Sequence, residues 1–226
     1  MSAPAVRALI FDFDGVLADT EELHCAAFQA AAASVSITLV RDDYFQRYLG
    51  LPDRDCLAAL CAQAGRCMTA AQLEELFVHK RAAFARLSQD AQLYPGVAET
   101  LQRLHADFTL AIASGAFRDE IEPILERAGV RRLFAALVGA DDVRTGKPSP
   151  EPFLRALEMI RHLNGSMVAA EECMVIEDSP NGVQAARAAG MRCVAVTTHH
   201  DRAALAAADT IIEHVTQLRA EDVVSQ

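Results

Sequence analysis

The chain has 226 residues, 52% hydrophobic and 23% charged, with 21 basic against 31 acidic side chains and a formal net charge of −10. That apolar content can fill a core and excludes a disordered chain, while the acidic excess repels nucleic acid and anionic membranes, so neither is an expected partner. A bound anion must instead meet a local device that reverses the sign. No apolar run approaches the roughly 18 residues of a membrane span, and the opening residues show no leader pattern. The six cysteines (Cys25, Cys56, Cys61, Cys67, Cys173, Cys193) include no Cys-x-x-Cys pair and read as reduced core thiols of a soluble cytoplasmic protein.

By length the chain holds about one and a half domains. The first strand is expected at Arg7 to Phe11, an apolar run ending on Asp12-Phe13-Asp14-Gly15. Between 18 and 89 the pattern changes, because no β-branched run appears and apolar residues recur every three or four positions. Helices are expected there at Glu21 to Ala33, Asp42 to Tyr48, Arg54 to Ala64 and Ala70 to Leu87, the last with Thr69 as N-cap and Gln72 completing a capping box. Tyr94-Pro95-Gly96 marks the return of alternation. A helix at Val97 to Ala106 precedes a strand at Thr109 to Ala113 that ends on Ser114-Gly115. A helix at Arg118 to Ala128, closed by Gly129, precedes a strand at Phe134 to Val138 ending on Gly139. Lys147 sits in a turn-rich loop before a helix at Pro150 to Leu163, closed before Gly165. A strand at Cys173 to Ile176 runs into Glu177-Asp178, and a helix at Gly182 to Ala189 is closed by Gly190. Strands at Cys193 to Thr197 and Thr210 to Ile212 complete the chain. The strands are short and almost continuously apolar, as in a parallel sheet covered on both faces. The expected fold is therefore α/β, a doubly wound, Rossmann-like parallel sheet formed by 1–17 and 90–226, with an all-helical insertion at 18–89.

In such a sheet ligands bind outside the carboxyl ends of the strands, where Asp12, Asp14, Ser114 and the Glu177-Asp178 pair are expected. Several carboxylates at one edge repel unless a cation sits among them. Hard oxygen ligands beside Lys147 suit Mg²⁺ shared with a phosphate. Singly, each feature has a plainer explanation: Asp178-Ser179 as a helix N-cap, Ser114-Gly115 as a turn, Lys147 as a solvated charge. Two other readings fail. Counted from Asp12, a calcium loop needs ligands at its fifth and twelfth positions, which hold Val16 and Leu23, and glycine at its sixth, which holds Leu17. A Gly-x-Gly-x-x-Gly dinucleotide fingerprint does not follow the first strand.

The segments FDFDGVLADTEELH, ASG at Ala113 to Gly115, GKPSPEPF at Gly146 to Phe153 and EDSPNGVQAARAAGM at Glu177 to Met191 closely resemble the four motifs of the haloacid dehalogenase superfamily, in order. The insertion resembles the helical cap of the subfamily containing β-phosphoglucomutase, phosphoglycolate phosphatase and sugar phosphate phosphatases. The resemblance implies that Asp12 is the nucleophile of an aspartyl-phosphate mechanism and Asp14 the general acid and base. It implies Mg²⁺ held by Asp12, the Asp14 main-chain carbonyl and Asp178, with Glu177 acting directly or through water. Ser114, the amides of Gly115 and Ala116, and Lys147 would stabilise the phosphoryl oxygens. Dehalogenating members lack the acid two residues after the nucleophile, so Asp14 favours phosphate chemistry.

Specificity is expected from the cap, closing over the core. Thr20, Glu21, His24, Arg54 and Lys80 are the candidate substrate-binding residues, against plainer roles as a packed histidine and solvated charges. The stretch Thr20-Glu21-Glu22-Leu23-His24 resembles sugar bisphosphate phosphatases encoded near carbon-fixation genes. The mutase cap carries arginine three residues after a glycine, whereas here Asp53 is third after Gly50 and Arg54 fourth. The expected activity is Mg²⁺-dependent hydrolysis of a small phosphorylated metabolite, a sugar phosphate first, by a monomeric phosphatase. A sugar phosphate mutase is the alternative, and a non-catalytic binding module on the same fold is a third.

Overall fold

A computed structural model describes residues 5–164 and 167–219. Gly165, expected to close a helix, lies outside the described residues. The strands β1 (Ala8–Phe11), β2 (Thr109–Ala113), β3 (Phe134–Val138), β4 (Cys173–Glu177), β5 (Arg192–Val196) and β6 (Thr210–Ile212) form one parallel sheet in the order β3-β2-β1-β4-β5-β6. The chain is thus the expected doubly wound α/β fold. It builds outward from β1 through β2 to β3, then crosses back to lay β4 on the other side of β1. That reversal is where strand ends part and a crevice opens.

Two compact units are distinguishable: Thr20–Ala91, and the described residues up to Asp19 with those from Gln92 on. In the sheet unit the α-helices are α5 (Val97–His105), α6 (Arg118–Arg127), α7 (Glu151–Asn164) and α8 (Pro180–Ala188). Ala8 and Ile10 of β1, Ala111 and Ala113 of β2, Val175 of β4 and Ala195 of β5 form one buried cluster with Phe153, Ala156, Leu157 and Ile160 of α7 and Val183 and Ala186 of α8. Small strand residues on this face let the helices approach closely. The alternate residues Leu9, Phe11, Leu110 and Ile112 point to the opposite face and are equally buried. With α5 packed on β2 and burying Val97, Leu101 and Leu104, apolar runs rather than alternating strands follow from burial on both sides. Two helices of this unit start away from their expected positions. α8 begins at Pro180, not Gly182, because the Ser179 hydroxyl accepts from Gly182 N and proline fits the first helical position. α7 begins at Glu151, after Pro150.

The other unit holds α1 (Glu21–Ser34), α2 (Arg41–Arg47), α3 (Asp53–Gln63) and α4 (Ala70–Leu87). Thr69 and Gln72 form the expected capping box: the threonine hydroxyl accepts from Gln72 N at 3.3 Å, and the glutamine oxygen from Thr69 N at 2.9 Å. Ala27 of α1 packs with Ala83 and Phe84 of α4. Cys67 corrects the reading of six core thiols: it is exposed in the turn between α3 and α4, while the other five are buried. It follows Arg66 in a segment with no helical period to turn it inward. Among the described residues no helix is long and apolar enough to cross a membrane.

Candidate active site

Asp12 stands one residue beyond β1, its amide continuing the ladder to Ile176 O at 2.9 Å. The chain then turns sharply, with the amides of Val16, Leu17 and Ala18 converging on the Phe13 carbonyl. Gly15 takes a left-handed conformation, φ +74°, which favours glycine. This turn aims Asp12 and Asp14 beyond the sheet edge while Phe13 is buried. At the end of β2, Ser114 is buried; its Oγ accepts from Ala116 N at 3.2 Å and lies 3.5 Å from Asp14 Oδ2 as donor. Gly115 has open space where a side chain would stand.

Lys147 is held from three sides. Its ammonium lies 3.0 Å from Asp12 Oδ1, 2.5 Å from Glu177 Oε1 and 5.0 Å from the centre of the buried Phe153 ring. Its loop is tied down by Glu151, whose carboxylate accepts from Arg144 N and Thr145 N, and the Lys147–Pro148 peptide is cis. Glu177 is completely buried. Its second oxygen accepts from Asp178 N at 2.8 Å, Ser179 N at 2.9 Å and the Ser179 hydroxyl at 3.0 Å. Both Glu177 oxygens are therefore engaged by the protein, one holding Lys147 and the other shaping the turn into α8.

One carboxylate oxygen each from Asp12, Glu177 and Asp178 lies within 4.8 Å of the other two. Burial raises the pKa of Asp12 well above the usual carboxylate range; Lys147 opposes the shift, and Glu177, Asp178 and Asp14 add to it. Burial likewise raises Asp178, against a hydrogen bond from His199. Glu177 resists its own burial because Lys147 and Ser179 bind it, and its pKa falls. Burial works against the Lys147 ammonium, but Asp12 and Glu177 outweigh it and hold the pKa above its ordinary value. One ammonium is thus too little for this group of acids. Asp12 Oδ1 makes the ion pair without hydrogen-bond alignment and is otherwise a buried acceptor lacking a partner. A hard divalent cation among Asp12 and Asp178 fits both the orphaned oxygen and the surplus charge.

In the helical unit, Thr20 is buried immediately before α1 and its carbonyl accepts from His24 N at 2.9 Å. Glu21 accepts from the Tyr44 hydroxyl at 3.0 Å. Lys80 is fully buried on α4, 2.6 Å from Asp53 and 2.9 Å from His24 Nδ1, and His24 stacks on Phe84 at 4.1 Å. Arg54 turns instead to the surface, bound twice to Glu74 and lying 3.7 Å from the Phe77 ring centre. Asp12, Asp14, Ser114, Lys147, Glu177 and Asp178 thus meet at one sheet edge, and His24 meets Lys80. Arg54 joins a surface ion pair. Asp53, Gly182, Thr198, His199 and His200 also contribute, and the sequence does not single them out as site residues. The last three follow a strand, β5, and polar residues beyond that strand were a signal of the same kind as Ser114.

The sequence profile described as haloacid dehalogenase-like hydrolase matches residues 9–196. A phosphorylated carbohydrates phosphatase of Thermotoga maritima is 32% identical over 197 residues, covering 86% of this chain and 86% of that protein. A validoxylamine A 7'-phosphate phosphatase of Streptomyces hygroscopicus subsp. limoneus is 30% identical over 217 residues, covering 94% and 96%. Among solved structures, CbbY from Rhodobacter sphaeroides in complex with phosphate is similar with a TM-score of 0.84 and 26% identity, over 98% of this chain and 100% of that one.

Proposed function

Because the chain belongs to the haloacid dehalogenase-like hydrolase family, we propose that it is a Mg²⁺-dependent phosphatase of a small phosphorylated metabolite, a sugar phosphate first, acting through an aspartyl phosphate. The observation that carries this reading is the buried Asp12 carboxylate, paired with Lys147 at 3.0 Å and grouped with Asp178 at the reversal point of the sheet. Both similar phosphatases support the choice of a phosphate monoester.

Asp12 attacks phosphorus, forming an acyl phosphate as the ester oxygen leaves with a proton from Asp14. Asp14 then takes a proton from water, the water oxygen attacks phosphorus, and the Asp12 carboxylate is released with inorganic phosphate. Lys147, Ser114 and the amides of Gly115 and Ala116 stabilise the phosphoryl oxygens, and Glu177 keeps the ammonium in place. Asp12, Asp178 and the Asp14 carbonyl hold the Mg²⁺, which when bound supplies positive charge to the phosphoryl group and keeps Asp12 ionised. Because both oxygens of Glu177 are engaged, its role toward the metal is indirect. Selection among esters is assigned to the helical insertion, with Thr20, Glu21, His24 and Lys80 before Arg54, whose guanidinium is already bound to Glu74. Hydrolysis is preferred to phosphoryl return because Asp53, where the mutase pattern has arginine, brings a carboxylate to Lys80.

Hydrolysis of p-nitrophenyl phosphate with Mg²⁺ and its loss in EDTA are the expected results; a folded protein with no metal-dependent turnover would overturn the reading. Asp12→Asn is expected to lower turnover by at least about 10³-fold with the circular dichroism spectrum unchanged, as removal of a nucleophile does. A screen of phosphorylated sugars should release phosphate, whereas isomerisation of β-glucose 1-phosphate primed with glucose 1,6-bisphosphate would favour the mutase.

A further inference from the structure

The segment Thr198 to His200, just beyond β5, has no role in the chemistry above, yet it binds both loops that carry the acids. His199 Nδ1 lies 2.9 Å from Asp178 Oδ2, and His200 Nδ1 lies 3.1 Å from the Asp178 main-chain oxygen. With the cation bound Asp178 is ionised, and an ionised carboxylate and a carbonyl can only accept, so each ring then donates from Nδ1. The Thr198 hydroxyl donates to Gly15 O at 2.6 Å. Gly15 makes this closeness possible, since a Cβ there would stand 2.1 Å from Asp178 Oδ2 and 2.8 Å from His199 Nδ1. The pair is shielded, with side chains only 16% and 8% exposed for His199 and Asp178, so water competes weakly for the bond.

We propose that His199 is a positioning residue for the divalent cation, acting through Asp178; this rests on Asp178 being a metal ligand. A carboxylate at a strand end can rotate and present either oxygen or both. With Oδ2 held by His199, Oδ1 is left as the ligand atom, pointing in one direction. A small cation that demands near-octahedral coordination gains most from a ligand fixed in this way. Outer hydrogen-bond partners of ligating groups typically contribute about 10–100-fold to metal affinity.

The test is Mn²⁺ binding without substrate, read from the electron paramagnetic resonance signal of free Mn²⁺, for the full-length wild type, His199→Ala, His199→Asn and Asp178→Asn. Thermal unfolding in EDTA establishes that each variant is folded. His199→Ala is expected to weaken binding by about 10-fold or more. The amide of His199→Asn can donate from nearly the same place as Nδ1 and is expected to return the affinity to within about threefold of wild type. Alanine within threefold of wild type, or asparagine as weak as alanine, overturns the role of His199. A wild type that does not bind Mn²⁺, or an Asp178→Asn variant that binds it as well as wild type, overturns the metal reading itself.

Discussion

At Asp12 the electrostatics oppose the ionised form that the proposed nucleophilic attack requires. Burial raises its pKa, neighbouring acids add to the rise, and the single ammonium of Lys147 does not cancel it. Between the ordinary carboxylate range and this raised value, the metal-free folded state therefore keeps a proton on Asp12 that the unfolded chain has already lost. Its contribution to stability is present at low pH and is lost as pH rises through the raised value; Asp178, also raised, follows the same sign. Glu177 is lowered, so its contribution is present above the ordinary carboxylate range and is lost only as pH falls below it. The proposed divalent cation would hold Asp12 and Asp178 ionised and remove the high-pH loss. The Tm gained from Mg²⁺ over EDTA is expected to be larger near pH 8 than near pH 5.5, because metal binding must displace the retained protons at the lower pH. Thermal scans in both buffers measure it; equal gains would contradict the electrostatic account. These residues were legible in the sequence because each follows an apolar run that ends abruptly in polar residues, a local pattern. His199 follows β5 in the same manner, but only its distance to Asp178 distinguishes it from an ordinary turn histidine.

At the level of elements, α8 and α4 each place one residue on which a neighbour depends. A Cβ on Gly182 would stand 1.8 Å from the Glu177 carboxylate, so the first turn of α8 must be bare for Glu177 to reach Lys147. Gly182→Ala is expected to cost about 1–3 kcal/mol through overpacking. Misplacing Lys147 through Glu177 should also lower turnover by about 10²-fold. Urea melts and steady-state kinetics check both, and wild-type values would show that Glu177 can move without consequence. On α4, Lys80 is fully buried against Asp53, His24 and the rings of Phe28 and Phe84 at 5.0 and 5.2 Å. Lys80→Met leaves Asp53 without its cation and is expected to destabilise by about 3 kcal/mol or more. Adding Asp53→Leu should recover much of that loss, since replacing both members of a buried ion pair with apolar groups is often nearly neutral. If urea melts show the two losses adding, the pair is not coupled. By contrast, the exposed Arg54–Glu74 pair is worth at most about 1 kcal/mol.

Across the whole molecule, burial separates one thiol from five. It pushes Cys56 and Cys173 up to about 12 and raises Cys25, Cys61 and Cys193 as well. Iodoacetamide applied to the native protein is therefore expected to label Cys67 and leave the buried five unmodified, with all six reacting in urea. Peptide mass spectrometry reads the outcome, and native labelling at Cys56 or Cys173 would contradict the packing. The exposed Cys67 could not be separated from the others by sequence, since burial depends on which elements cover a turn. Strand and helix bounds were more accessible. Thr109–Ala113, Phe134–Val138 and Ala70–Leu87 match their expected limits because apolar period, β-branching and the Thr69 cap act over a few residues. The α/β alternation, the helical insertion and the polar residues at the strand ends are legible in the sequence, all set by interactions between near neighbours. Tertiary structure was needed to lay β4 beside β1, which brings Asp178 to Asp12, to lay β5 beside β4, which brings His199 to Asp178, and to bring Glu177 to Lys147 and, within the helical unit, Asp53 on α3 to Lys80 on α4. Those pairings join residues far apart in the chain, and they form where the crossover at the middle of the sheet and the packing of helices place them.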